Sequence, residues 1–203
     1  MASLIGSRVE RKEDKKFLTG KGRYTADINL VHQTYAVFVR SPHARAKINS
    51  VNVNKALKAP GVVKIFTGDD IAKEKIGGLI AGWKIVSQDG SDMKVPNHPP
   101  LAKDFVNYVG DHVAVVIAES LEEAKSAAEL VNVSYQIQKA VVNTNEALSS
   151  EAIHEGIDRN LCFDFVLGDK GKTEEAFSTA EKIVKMDLIN NRLVPNAMEP
   201  RAA

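Results

Sequence analysis

The chain has 203 residues, of which 44% are hydrophobic and 26% charged, a composition typical of a soluble globular protein of one or two domains. The formal net charge is +1 with the two signs interspersed, which argues against a nucleic-acid-binding surface and against an acidic solvating tail. Apolar runs such as residues 113–118 are far shorter than the roughly 20 residues that span a bilayer, and the N-terminus lacks a secretory signal pattern, so we predict a cytoplasmic protein without a membrane span.

The first third of the chain predicts three strands after a charged, irregular start. Residues 35–40, 48–53 and 62–66 are rich in β-branched and aromatic side chains, as strands are. Between the second and the third strand, Asn54 is suited to cap a short helix over residues 55–58.

Residues 74–104 predict a long surface loop, because they show little periodicity and are rich in turn-forming residues. Trp83, the sole tryptophan, lies inside this loop, and we expect it to anchor the loop onto the body of the protein. A contact between subunits is the alternative role for Trp83. The turn-forming residues are Gly77, Gly78, Gly82, Gly90, Pro96, Pro99 and Pro100.

Residues 113–135 predict a strand–helix–strand unit. The apolar run 113–118 is typical of a strand that is buried on both faces. Ser120, followed three residues later by Glu123, predicts the start of a capped helix. The alternation over 131–135 predicts a second strand, which could pair in parallel with the first through a right-handed crossover. The apolar stripe of the helix would be Ala124, Ala127, Ala128 and Val131.

The last 60 residues predict a polar linker over 143–157 and then the start of a second domain. A turn at Gly168-Asp169 precedes a helix over 173–180, and the alternation over 184–188 predicts a strand. That strand needs neighbouring strands, which we expect in sequence that the chain does not contain. The inner face of the helix would be Ala176, Phe177 and Ala180.

No pattern in the sequence predicts a catalytic, cofactor-binding or metal-binding residue. The chain lacks a phosphate-binding glycine loop, and its single cysteine excludes a thiolate metal cage. Cys162 lies between apolar residues and is better explained as a small core residue than as a nucleophile. Ser41 and His43 lack the spacing that would support a Ser-His-Asp triad. Structural roles are expected for all five histidines, which are His32, His43, His98, His112 and His154.

Five segments, which we call the family segments, carry a recognisable pattern. They are Arg11–Thr25 (RKEDKKFLTGKGRYT) with Asp27-Ile28, Phe38–Ala46 (FVRSPHARA), Pro60–Val62 with Thr67–Asp69, Pro100–Ala102 with Tyr108–Val116 (YVGDHVAVV) and Ala118-Glu119, and Asn191–Ala202 (NRLVPNAMEPRA). Together and in this order they resemble the large subunits of the molybdenum hydroxylases, the family of xanthine dehydrogenase, aldehyde oxidase and aerobic carbon monoxide dehydrogenase.

The resemblance implies an α+β fold, with a mixed sheet and packed helices in a hammerhead-type domain, followed by the truncated start of a second α/β domain. The implied domains are an N-terminal extension over 1–17, the hammerhead domain over 18–142, a linker over 143–157 and the truncated start of a molybdopterin-binding domain over 158–203. Within the last of these, Met198-Glu-Pro-Arg201 resembles the entry to the first cofactor-binding domain. The family's molybdopterin loops and its glutamate base would lie downstream, so the resemblance places no catalytic residue in this chain.

The parent enzyme implied by the resemblance is an oxidoreductase that hydroxylates or oxidises a small substrate, with water as the oxygen source. Its molybdopterin, expected in the cytosine dinucleotide form, would be bound downstream of this chain. Electrons would leave through iron–sulfur and FAD subunits, in a parent that forms a dimer of heterotrimers. The sequence of residues 191–201 favours the carbon monoxide dehydrogenase branch of the family. The alternatives are a stand-alone binding or assembly module, a split gene product and an experimental fragment.

The role expected for this chain is that of a scaffold and interface, and the isolated chain is predicted to be inactive. Arg40, His43, Arg45 and the 74–104 loop are the candidates for contacts with the cofactor-binding domains and the partner subunits. A solvated strand end is the alternative explanation for Arg40 and Arg45.

Overall fold

A computed structural model describes residues 5–191, 193–194 and 196–197 of the chain. Residues 34–183 group into one compact unit, and the described residues up to Gln33 and from Val184 onward group into a second. The segment 198–201, which resembles the entry to a cofactor-binding domain, lies outside the described residues.

The larger unit contains the strands and most of the helices of the described chain. Its strands are β1 (Tyr35–Arg40), β2 (Ala46–Asn52), β3 (Val62–Thr67), β4 (Phe105–Val106), β5 (His112–Ala118) and β6 (Asn132–Ile137). The helices are α1 (Asp14–Leu18) in the smaller unit and α2 (Gly68–Lys73), α3 (Leu121–Glu129), α4 (Thr144–Ala147) and α5 (Lys170–Thr179) in the larger. The strands predicted over the first third of the chain and over 113–135 are therefore confirmed, and the α+β class is confirmed with them.

The strands form two small antiparallel sheets. The first has the order β1–β5–β3, and the second has the order β4–β2–β6. The parallel pairing considered for β5 and β6 is wrong, because β6 pairs antiparallel with β2 in the other sheet. The helix α3 therefore connects two sheets instead of crossing over one.

The start of α3 follows the predicted chemistry. The Ser120 hydroxyl oxygen accepts a hydrogen bond from the Glu123 N–H (3.2 Å), and the hydroxyl donates to Glu123 Oε2 (2.7 Å). Ala124 and Ala127 are fully buried, so the small side chains on the predicted stripe let α3 pack closely against β1 and β5.

A complete capping box, which the sequence analysis missed, begins α2. The Thr67 N–H donates to Asp70 Oδ2 (2.8 Å), while the Thr67 side chain caps the third helical residue. The hydrogen bonds from the Thr67 backbone, and next from its hydroxyl, lower the pKa of Asp70 against the opposing effect of partial burial.

Two apolar cores meet at β5, since successive residues of a strand face opposite sides of its sheet. Val113 packs into a core with β2 and β4, whereas Ala114 and Val116 pack under α3. The first core consists of Ala46, Ile48, Ala102, Val106 and Val113, and the second of Ala56, Ile65, Ala114, Val116 and Ala127. Burial of β5 on both faces, as predicted, makes this strand the element that couples the two cores.

Several local predictions differ from the structure. Asn54 does not cap the short 3-10 turn over Ala56–Lys58, because Lys55 occupies the N-cap position. The Asn54 N–H donates to Asn52 Oδ1 (3.1 Å). The helix predicted over 173–180 forms as α5 over Lys170–Thr179, but the side chains of its inner face are exposed. The described residues 184–188 form no strand. No helix in the described part of the chain has the length and apolar content needed to cross a membrane.

Candidate interface and the Asp111 cluster

Two of the family segments meet where β1 ends and β5 begins. The Ser41 N–H donates to the Asp111 carbonyl oxygen (2.8 Å), and the Gly110 N–H donates to the Ser41 carbonyl oxygen (2.8 Å). Arg40 Nη1 donates to the Gly110 carbonyl oxygen (3.0 Å). The Arg40 side chain is exposed, and its hydrogen bond to Gly110 stabilises the turn that precedes β5. Its predicted contact with a partner remains a prediction.

Ser41 is almost fully buried, at 2% exposure, and its hydroxyl stabilises a backbone turn. The hydroxyl oxygen accepts from the His43 N–H and the hydroxyl donates to the His43 carbonyl oxygen, each over 3.0 Å. The His43 ring packs edge-on against Tyr135, with 5.0 Å between the ring centroids, and burial raises the pKa of Tyr135. These contacts give Ser41 and His43 structural roles and do not assemble a triad.

The Asp111 cluster, formed by His98, Tyr108 and Asp111, is a site that the sequence analysis missed. The Asp111 carboxylate is 5% exposed, and its Oδ2 accepts from the Asn107 N–H (3.0 Å). Its Oδ1 lies 4.0 Å from His98 Nε2, which in turn lies 3.4 Å from the Tyr108 hydroxyl. Burial, and next the charge of Asp111, raises the pKa of Tyr108. The motif YVGD places the phenol and the carboxylate three residues apart, but nothing local indicates that His98 joins them.

The Asp111 cluster borders a cavity of about 250 Å³ that Phe105 and His154 also line. Burial, and then electrostatic interaction with Arg45 and His98, lowers the pKa of His154. A carboxylate, a phenol and imidazole rings can exchange hydrogen bonds with a small polar group. In the described part of the chain, however, no group of three or more His, Cys, Asp and Glu residues is arranged to hold a metal ion.

Arg45 joins β2 to the predicted linker. Its Nη1 donates to Asn107 Oδ1 (2.7 Å), and its Nη2 donates to the Ile153 carbonyl oxygen (2.8 Å). The guanidinium also lies over the Phe105 ring, 5.5 Å from its centroid. Burial lowers the pKa of Arg45, and the negative charge of Glu151 opposes this effect. Arg45 is half-buried and used inside the unit, whereas Arg40 is exposed at the end of β1. The role of both residues in partner contacts is still a prediction.

Three hydrogen bonds of the Asn160 side chain stabilise the segment predicted as a linker. The Asn160 side-chain amide donates to the carbonyl oxygens of Ala147 (2.9 Å) and Glu151 (3.0 Å). Its Oδ1 accepts from the Ile153 N–H (2.8 Å). Asn160 adopts a positive φ of 54°, a conformation that asparagine tolerates better than most residues.

The 74–104 loop exposes an apolar tip. The prediction that Trp83 anchors this loop is wrong, since Trp83 is 81% exposed and Ile80 is 92% exposed. Backbone contacts within the loop shape it instead. The Leu79 N–H donates to the His98 carbonyl oxygen (2.8 Å), and Val86 pairs with Asp92 as an antiparallel bridge. The tip is thus available for a contact between chains, the alternative role proposed for Trp83.

Cys162 lies where this loop meets a later segment of the larger unit. The Lys94 N–H donates to the Cys162 carbonyl oxygen (2.9 Å), and the Gln88 N–H donates to the Asp164 carbonyl oxygen (2.9 Å). The Cys162 side chain is half-buried and lies outside both apolar cores, so its predicted place in the core is wrong. Cys162 lines a cavity together with polar residues of the loop.

Comparison with known proteins places this architecture in a family. The family model described as "Aldehyde oxidase and xanthine dehydrogenase, a/b hammerhead domain" matches residues 19–139. The nicotine 6-hydroxylase large subunit of Paenarthrobacter nicotinovorans is 34% identical over 98% of this chain and 24% of its own length. The chain therefore spans about a quarter of the length of such relatives.

Solved structures show the same fold. Quinoline 2-oxidoreductase from Pseudomonas putida 86 matches with a TM-score of 0.62 and 37% identity over 72% of this chain and 18% of that chain. The reconstituted CO dehydrogenase from Oligotropha carboxidovorans matches with a TM-score of 0.68 and 29% identity over 87% of this chain and 22% of that chain. The chain belongs to the family of molybdenum hydroxylase large subunits and contains their α/β hammerhead domain.

Proposed function

We propose that this chain is the N-terminal scaffold and interface part of the catalytic large subunit of a molybdenum-dependent oxidoreductase. The observation that carries the proposal is the coverage of the alignment: the match to the nicotine 6-hydroxylase large subunit covers 98% of this chain but only 24% of that protein. A second observation supports it, because the family segments that meet at β1 and β5 are used in backbone and packing contacts. Residues used in this way support a scaffold, whereas catalysis would need groups aimed at a substrate.

The domain organisation that we propose keeps an extension over 1–17, the hammerhead domain over 18–142, a linker over 143–157 and the truncated start of a molybdopterin-binding domain over 158–203. The hydrogen bond from Arg45 to the Ile153 carbonyl oxygen supports a linker that is fastened to the hammerhead domain. The exposure of every residue of α5 supports a final segment whose packing partners lie elsewhere.

Molybdopterin, proposed in its cytosine dinucleotide form, supplies the redox chemistry of the parent enzyme. The cavity beside the Asp111 cluster does not suit it. The phosphates of a dinucleotide need backbone N–H groups and positive charge, whereas the cavity beside the Asp111 cluster presents a buried carboxylate. We therefore assign no catalytic, cofactor-binding or metal-binding residue to this chain and propose that the isolated chain is inactive.

The proposed parent reaction is the oxidation of a small substrate with water as the oxygen source. Electrons would pass to iron–sulfur and FAD subunits in a cytoplasmic dimer of heterotrimers. The wording of residues 191–201 favours the branch of carbon monoxide dehydrogenase, but part of that segment lies outside the described residues. The relatives named for nicotine and quinoline match at higher identity than the CO dehydrogenase, so identity does not support that branch.

The test is to express the reading frame that contains this sequence together with its neighbouring subunit genes. The purified complex is analysed for molybdenum and assayed with carbon monoxide, aldehydes, purines and N-heteroaromatic compounds. We expect stoichiometric molybdenum in the complex and none in the purified 203-residue chain. Stoichiometric molybdenum in the isolated chain would contradict the scaffold role. A reading frame that stops at residue 203, with no gene for cofactor-binding domains nearby, would favour a stand-alone binding or assembly module.

A further inference from the structure

The Asp111 carboxylate is buried without a permanent positive charge beside it. Its residue is almost fully buried, and only Oδ2 accepts a backbone hydrogen bond, from the Asn107 N–H. Among the described residues, its one ion-pair contact is with His98, at 4.0 Å, and a histidine is charged only when it is protonated. The guanidinium groups of Arg40 and Arg45 hydrogen-bond to carbonyl and amide oxygens instead. Because buried charges are normally paired, this carboxylate favours a cation that reaches Oδ1.

Three atoms that can accept hydrogen bonds lie together at the wall of the cavity beside the Asp111 cluster. Asp111 Oδ1 lies 4.0 Å from His98 Nε2, which lies 3.4 Å from the Tyr108 hydroxyl oxygen. Both distances exceed the span of about 2.7–3.2 Å that is typical of protein hydrogen bonds, so the three groups satisfy one another poorly. Burial, and next the charge of Asp111, raises the pKa of Tyr108 and keeps its phenol neutral at pH 7. An ammonium group carries three N–H donors and matches these three acceptors.

The rest of the cavity suits a short carbon chain. The aromatic rings of Phe105, Tyr108 and His154 give its wall apolar surface. Burial lowers the pKa of His154, so its ring adds no competing positive charge at pH 7. The volume of about 250 Å³ lies below the range of roughly 300–1,000 Å³ that holds drug-sized molecules. A metal ion is a poorer match, since the described residues offer no group of three or more His, Cys, Asp and Glu side chains to hold one.

We propose that this cavity binds a small primary ammonium compound, with the ammonium group against Asp111, His98 and Tyr108. The carboxylate supplies the opposite charge, while the imidazole nitrogen and the phenol oxygen accept the other two N–H groups. The inference concerns ligand binding by the larger unit of this chain and does not depend on the proposed parent reaction.

The experiment titrates the 203-residue chain with n-propylammonium chloride at pH 7 and follows the NMR signals of the cavity residues. We expect saturable shifts with a dissociation constant on the order of 1–10 mM, since one charged contact and a short carbon chain supply the affinity. Two probes separate charge from hydrogen bonding. n-Propanol has a similar shape without the charge, and tetramethylammonium has the charge without N–H donors, so both should bind roughly tenfold more weakly or worse.

Three variants locate the binding. Asp111→Asn removes the charge at nearly constant volume and should weaken binding roughly tenfold or more. Because Asp111→Asn also lowers stability, Tyr108→Phe tests the same site at a more exposed position, where the loss of one acceptor should weaken binding roughly threefold. The matched control, Asp104→Asn, removes an exposed carboxylate from the adjoining loop and should leave the dissociation constant unchanged. Circular dichroism shows that each variant is folded.

No saturable binding up to about 100 mM propylammonium would overturn the inference, as would equal binding of n-propanol or tetramethylammonium. Equal effects of Asp111→Asn and Asp104→Asn would also overturn it, because they would show an unspecific response to charge. The titration is repeated with the continuous large subunit expressed from the parent reading frame. Binding that disappears there would mean that another part of the polypeptide fills the cavity, and it would overturn the assignment of a free ligand.

Discussion

Replacement of Asp111 by alanine tests whether the Asp111 cluster stabilises the hammerhead fold. The carboxylate is 5% exposed, and its Oδ2 is the acceptor for the Asn107 N–H at 3.0 Å. Asp111→Ala leaves that N–H without its charged acceptor, and hydrogen bonds to charged groups contribute about 1.5–3 kcal/mol. The His98 contact, at 4.0 Å and half-exposed, adds little. We therefore expect the free energy of unfolding to fall by about 2 kcal/mol.

The assay is urea denaturation of the 203-residue chain at neutral pH, followed by circular dichroism. Asp111→Asn keeps an acceptor oxygen and should lose about half as much, since a neutral hydrogen bond is weaker than a charged one. Asp104→Ala removes an exposed carboxylate from the adjoining loop and should change stability by less than about 0.5 kcal/mol. If Asp111→Ala unfolds at the same urea concentration as Asp104→Ala, the carboxylate does not anchor this part of the fold.

Three further substitutions test the local structure, each by urea denaturation. Ser120→Ala removes the N-cap of α3 and should cost about 1 kcal/mol, whereas Ser126→Ala, exposed within the same helix, should change little; equal effects would contradict the capping role. Gly68→Ala places a Cβ against the backbone of a neighbouring loop and should cost about 1–3 kcal/mol, while Gly77→Ala, which faces open space, should be tolerated; a neutral Gly68→Ala would argue against that close approach. Hydrogen bonds lower the folded-state pKa of Asp70 below 3.8, so its contribution is present at pH 7 and is lost as the pH falls from 3.8 through the folded-state pKa. Asp70→Asn should therefore destabilise the chain at pH 7 and have a progressively smaller effect as the pH falls below 3.8, and an effect independent of pH would refute the pKa argument.

The elements could be predicted from the sequence wherever the signal is local. The apolar run 113–118, the Ser120 cap and the alanine stripe each lie within a few residues, and β5 and α3 formed as expected. The sheet order could not be predicted in this way. The half-apolar strand β6 is compatible with either sheet, and its partner β2 is selected by Val133 and Tyr135, which pack onto Ala46 and Ile48. That choice depends on contacts across about 90 positions of sequence.

The candidate site was harder to predict because its members come from distant segments. Arg45 contacts the carbonyl of Ile153, 108 residues away, and no spacing rule indicates such a contact. The prediction for Trp83 failed for a different reason: a large aromatic side chain is usually buried, but its identity alone does not say whether the fold supplies a surface that covers it. The same physical reason applies to Phe177, which has the pattern of an inner face and is exposed.

Two of the family segments have a structural role at the junction of β1 and β5. The turn at Ser41 and the turn at Asp111 bind each other through two backbone hydrogen bonds and so fix the register of β1 against β5. We propose that residues used in this way stabilise the hammerhead fold and do not contact the substrate of the complete enzyme. We therefore expect Asp111→Asn in the complete enzyme to lower its thermal stability while the ratio of kcat/KM between two alternative substrates stays the same. A change in that ratio, measured with the folded fraction held equal, would show that this junction reaches the active site.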